Sequence, residues 1–68
     1  MTEDLRVVFG SEGELEGFLR DADVAPFRRR AIRLPSLAPG ETVLAGLSPK
    51  EARVARRAAK RHGGLARC

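Results

Sequence analysis

Sixty-eight residues make one small domain with a thin core, and a chain that short is only marginally stable unless something helps it. One Cys excludes an internal disulfide framework, one His beside that Cys falls short of a structural zinc set, and no apolar run approaches the ~18–20 residues of a membrane span. The net charge of +4 hides a polarity: residues 1–23 hold seven acids against two Arg, and residues 24–68 hold eleven Arg or Lys against two Glu. Such polarity points to a charged partner or to a self-complementary assembly.

The first residues, MTEDLRVVFG, are acidic and lack the basic region and long apolar core of a signal peptide, so a cytoplasmic location is expected. Residues 5–9, LRVVF, read as a first strand ended by Gly10, with Leu5, Val7 and Phe9 toward the core. Ser11 then caps a helix, and Glu14 stands where a capping box needs it. Leu15, Phe18, Leu19 and Ala22 follow the i, i+3, i+4, i+7 spacing of a buried helical stripe, with Glu12, Glu14, Glu16 and Asp21 outside. That acidic face reads as solvated surface or as a surface that meets the basic face of another copy.

Residues 23–26 are a connector, and residues 27–34, FRRRAIRL, read as a second strand. Its alternation is imperfect, which predicts an irregular start around residues 27–29 and a regular strand from Arg30. Arg28, Arg29 and Arg30 form a short basic run at an exposed strand start or edge. Residues 35–40 are a loop in which Pro39 and Gly40 suit a type II turn. Residues 41–47, ETVLAGL, are a third strand, antiparallel to the second.

The clearest signal comes next. Ser48 is an N-cap, Pro49 falls at the first helical position, Glu51 completes a capping box, and Gly63-Gly64 stops the helix. Lys60, Arg61 and His62 lie in the last turn, where positive charge complements the helix dipole. Ala52, Val54, Ala55, Ala58, Ala59 and His62 share one side, and Arg53, Arg56, Arg57, Lys60 and Arg61 share the other. Residues 65–68 are expected as a short frayed tail.

Residues 47–54, LSPKEARV, resemble the opening of the LuxR-type helix-turn-helix domain, which typically begins with a similar Leu-Ser/Thr-Pro-Arg-Glu run. The likeness covers eight residues and is one of capping chemistry. That family needs a further helix to enter the major groove, and the residues after Gly64 are too few to supply it, so its function is not carried over.

The order β-α-β-β-α predicts an α+β fold, a three-stranded sheet with both helices packed on one face. An apolar patch on the other face would let a second copy cover it, and a homodimer is the favoured oligomer. No catalytic arrangement, cofactor motif or metal set is present: Gly10-Ser11-Glu12-Gly13 lacks the Lys-Ser/Thr of a phosphate loop. The protein is therefore not expected to be an enzyme. Two readings of the basic face remain. In one it binds DNA or RNA phosphates through Arg53, Arg56, Arg57, Lys60 and Arg61, with Arg28, Arg29 and Arg30 as additions. In the other, a homo-oligomeric structural or regulatory protein uses it against acidic protein surface. No membrane partner is expected.

Overall fold

The computed structural model describes residues 1–32 and 37–67. Arg33 and Leu34 of the expected second strand, Pro35 and Ser36 of the loop, and the Cys68 thiol lie outside the described residues.

The fold is α+β, and its elements are β1 (Glu3–Val8), α1 (Glu12–Leu19), a 3₁₀ segment (Ala25–Arg30), β2 (Ala31–Ile32), β3 (Glu41–Leu47), α2 (Pro49–Arg61) and β4 (Leu65–Arg67). The strands form one four-stranded sheet in the order β2-β3-β1-β4, and every neighbouring pair is antiparallel. No helix among the described residues is long and apolar enough to cross a membrane.

Several expectations need correction. The sheet has four strands rather than three, because residues 65–67, expected as a tail, pair with β1 at Arg6↔Arg67, Val7↔Ala66 and Val8↔Leu65. Gly63 makes this possible. Its φ of +78° ends α2 in a Schellman turn: the Gly63 N–H donates to Lys60 O (3.1 Å) and the Gly64 N–H to Ala59 O (2.8 Å). Gly64 then lies against the Phe9 ring, where a Cβ would come within 2.4 Å of it.

The second correction concerns the start of the second strand: the irregular stretch expected around residues 27–29 is a 3₁₀ segment kinked at Phe27 (φ −122°, ψ 17°), and it takes in Arg30, where the regular strand is expected to begin. Val24, which caps the segment, and Phe27, at its kink, are both buried, and Pro26 sits in the first turn. Among the described residues the strand comprises Ala31–Ile32. Thr42, the one buried polar side chain among the described residues, fastens it by donating from Oγ1 to Ile32 O (2.9 Å).

Third, the turn at Pro39-Gly40 is closed by the Glu41 N–H donating to Ala38 O (2.9 Å), but Gly40 has no positive φ, so it is not type II. Glycine is needed there for space: a Cβ would stand 2.4 Å from Phe9 O.

Leu5, Val7, Phe9 and Leu44 project from one side of the sheet into a single core with Leu15 and Phe18 of α1 and Ala52, Ala55, Ala58 and Ala59 of α2. Fully burying Leu5, Leu15 or Phe18 is worth about 1.5–3 kcal/mol each, whereas the alanine face of α2 offers much less area per residue. Leu47 joins the core although Leu44 and Leu47 should point to opposite sides. A bulge resolves this. Glu3 pairs with Leu47 and Leu5 with Leu44, so β3 carries one extra residue, and Gly46 takes it up at φ +67°.

Helix α1 stops at Leu19, and Ala22, expected in its buried stripe, is exposed. The chain turns there, and Val24 fills the core position instead. The Ser11 hydroxyl accepts the Glu14 N–H (3.3 Å), but the Glu14 carboxylate meets that same hydroxyl (3.2 Å) rather than completing a capping box.

Candidate nucleic-acid interface

Helix α2 presents its buried alanines to the core and its cations to the surface. Its start is fixed by reciprocal bonds: the Glu51 N–H donates to Ser48 Oγ (3.1 Å), and the Ser48 N–H donates to Glu51 Oε1 (2.9 Å). At 100° per residue, Lys50, Arg53 and Arg57 run along the crest opposite the buried alanines, with Lys60 at its edge about 50° to one side. Arg61 stands about as far to the other side, and Arg56 lies on the flank beyond Lys60.

The two groups are employed differently. Arg56 donates from Nη2 to Glu3 Oε1 of β1 (3.2 Å). Arg61 donates to Asp21 Oδ2 and Asp23 Oδ2, both at 2.9 Å. Each flank is thus tied to an acid of the N-terminal segment. All four crest cations are exposed, and among the described residues none of their side chains forms a hydrogen bond or ion pair.

Asp21 organises one flank. Its Oδ1 accepts the Asp23 N–H (2.9 Å), an Asx-type turn that leads the chain away from α1. Its Oδ2 meets both Arg61 and His62 Nε2 (2.9 Å). The Asp23 amide, then His62 and Arg61, hold the Asp21 carboxyl below its ordinary range, with partial desolvation opposing them. His62, the α2 C-cap, also stands edge-on to Phe18 at 6.4 Å between ring centres. Its role is to join the ends of the two helices.

Of the basic run expected to add to the interface, Arg30 is already engaged. Its Nη1 donates to Gly46 O (2.8 Å) and to Glu51 Oε1 (2.7 Å), placing the 3₁₀ segment beside the first turn of α2. The Ser48 amide first, and Arg30 after it, lower the Glu51 carboxyl, again against desolvation. Arg28 and Arg29 are exposed, and among the described residues their side chains form no ion pair. Sequence reasoning missed Lys50, which the helical spacing alone places on the crest.

The outer face of the sheet is a second candidate. Ile32, Val43, Arg6 and Arg67 form one row across it, and Glu41, Val8 and Leu65 the next. A shallow depression of about 240 Å³ lies among Arg6, Val8, Glu41, Leu65 and Arg67. Arg6 donates from Nε (2.9 Å) and Nη2 (2.6 Å) to Glu41 Oε2, so a carboxylate already occupies the place an anion would take. Among the described residues no cluster of three His, Cys, Asp or Glu is arranged to hold a metal ion.

No protein-family model matches this chain, and no curated protein or solved structure matches it significantly. Function therefore rests on the geometry alone.

Proposed function

We propose that the protein is a small basic domain that binds nucleic-acid phosphates through the crest of α2. The observation that carries this is the division of the helix's cations into two groups. Arg56 and Arg61 are neutralised by Glu3, Asp21 and Asp23, while Lys50, Arg53, Arg57 and Lys60 stand in file with no acid partner among the described residues. A face meant only for solubility normally mixes both signs. Here the available acids lie on the flanks, and the crest keeps a uniform charge. Arg forks suit phosphate bidentately, and Lys contributes a point charge.

The test is the binding of labelled DNA and RNA at ~50 and ~150 mM salt by the protein and by an Arg53→Glu/Arg57→Glu/Lys60→Glu variant. Binding at micromolar concentration or tighter that weakens as salt rises and falls at least about tenfold in the variant supports the reading. Equal binding by the variant, or none by the protein, removes it. Because these side chains form no hydrogen bond or ion pair among the described residues, the variant keeps the fold, with a small fall in Tm from Lys60→Glu at the negative end of the helix dipole.

A second reading, a homodimer closed over the outer sheet face, has one observation in its favour. Ile32 (42% exposed) and Leu65 (62% exposed) stand uncovered there beside Val8 and Val43. It predicts a mass of two chains in sedimentation equilibrium, lost on Leu65→Glu. A single-chain mass at all concentrations eliminates it.

A further inference from the structure

We infer that the partner of the α2 crest is the sugar-phosphate backbone of a nucleic-acid duplex, met from outside along one strand and without regard to sequence. This rests on the phosphate-binding reading above and narrows it through three observations.

The first is the width of the charged track. Beyond the crest stand Glu3 on one side and Asp21 and Asp23 on the other, each within ion-pair distance of a flank arginine. A helix inserted into a major groove has a phosphate backbone along both sides, and here both would run beside carboxylates. A single backbone laid on the crest meets only cations. From Lys50 to Lys60 the crest extends about 15 Å at ~1.5 Å per residue. One duplex strand rises about 3.4 Å of axis per phosphate but winds as it rises, so its phosphates stand about 7 Å apart along the strand and roughly three of them face the four cations.

The second is the absence of a stacking surface. Proteins that prefer single strands lay bases on exposed aromatic rings, worth ~1–3 kcal/mol per base. The chain has no Trp or Tyr, and Phe9, Phe18 and Phe27 are all buried. His62 is held between Asp21 and Phe18. With stacking removed, charge density decides, and a duplex carries more charge per length than a single strand.

The third is composition. The chain contains no Asn and no Gln, the side chains that read adenine bidentately, and its crest arginines could read guanine only from inside a major groove, where the carboxylates flanking the crest would face both backbones. Phosphate contacts by Lys and Arg position a duplex but carry no sequence information.

The experiment titrates the protein, followed by fluorescence anisotropy, into a labelled 20-base-pair DNA duplex, an RNA duplex of the same sequence, and each isolated strand, at ~100 mM salt. AT-rich and GC-rich DNA duplexes are compared alongside. The inference expects at least one duplex to bind about fivefold or more tighter than its strands. It also expects the two DNA compositions to agree within about threefold. Whether DNA or RNA duplex is preferred identifies which polymer supplies the backbone. Single strands bound as tightly as both duplexes overturn the duplex assignment and leave the phosphate-binding crest standing. A preference above about tenfold for one composition overturns outside tracking in favour of base reading. No binding to any polymer, or binding that the Arg53→Glu/Arg57→Glu/Lys60→Glu variant retains, overturns both readings together.

Discussion

Arg56 and Arg57 are neighbours on one helix, identical in chemistry and both exposed, yet they do different work. Arg56 reaches Glu3, 53 residues earlier in the chain, and ties α2 to β1. Arg57 points away from the body and, among the described residues, has no partner. The same contrast divides Arg61 and Arg30, tied to Asp21, Asp23 and Glu51, from Lys50, Arg53 and Lys60. Part of the basic run is therefore internal electrostatics, and only the remainder stands without an acid partner among the described residues. Much of the opposite charge at the two ends of the sequence is met within the fold, across pairs such as Arg61–Asp21 and Arg56–Glu3.

Acid separates the two groups most strongly. Asp21 and Glu51 are both held below their ordinary values of 3.8 and 4.5, so each ionises more readily folded than unfolded. Their stabilising contribution is fully present above those values and is lost as pH falls through the lower, folded values. Thermal unfolding followed from pH 7 to pH 2 should show Tm falling below about pH 4.5, the ordinary Glu value. Asp21→Asn with Glu51→Gln should flatten that fall, because both amides still accept the Asp23 and Ser48 N–H bonds but cannot be protonated into losing a charge. A variant whose Tm falls over acid pH as steeply as the parent's would contradict the assignment.

A smaller effect comes from Gly46, whose carbonyl receives Arg30 and whose N–H donates to Asp4 Oδ1 (3.0 Å). A Cβ there would meet nothing within 4 Å, so Gly46→Ala costs only the left-handed backbone, about 1–2 kcal/mol by denaturant midpoint. The crest is untouched, and affinity for a duplex should stay within about twofold of the parent. A loss of affinity as large as that from the crest variant would mean that bulge and crest are not independent.

The sequence showed the local chemistry of the fold well. Ser48, Pro49, Glu51 and Gly63 act within a few residues of one another, and the boundaries of α2 follow from them. The buried set Leu5, Val7, Phe9, Leu15 and Phe18 was equally plain from period alone. Long-range pairing was not legible. The strand Leu65–Arg67 is too short to display a period, and nothing near it in sequence indicates that β1 has a free edge. The bulge at Gly46 breaks the alternation of β3 for the sake of the partner register, and the irregularity expected at residues 27–29 turns out to be a kinked 3₁₀ segment that buries Phe27 and extends through Arg30. The candidate interface was half legible for the same reason: the helical wheel gathered the cations, but only the fold shows that Arg56, Arg61 and Arg30 are already paired and that Lys50 belongs with the rest.

The most direct test of this division is the dependence of duplex affinity on salt, measured for the parent, Arg57→Gln and Arg56→Gln. About three phosphate contacts predict a slope of about −2.7 in log K against log salt. Arg57→Gln should reduce its magnitude by about 0.9, and Arg56→Gln should leave it unchanged. Equal reductions by the two substitutions, or a slope that Arg57→Gln does not alter, would contradict the claim that the crest alone meets the phosphates.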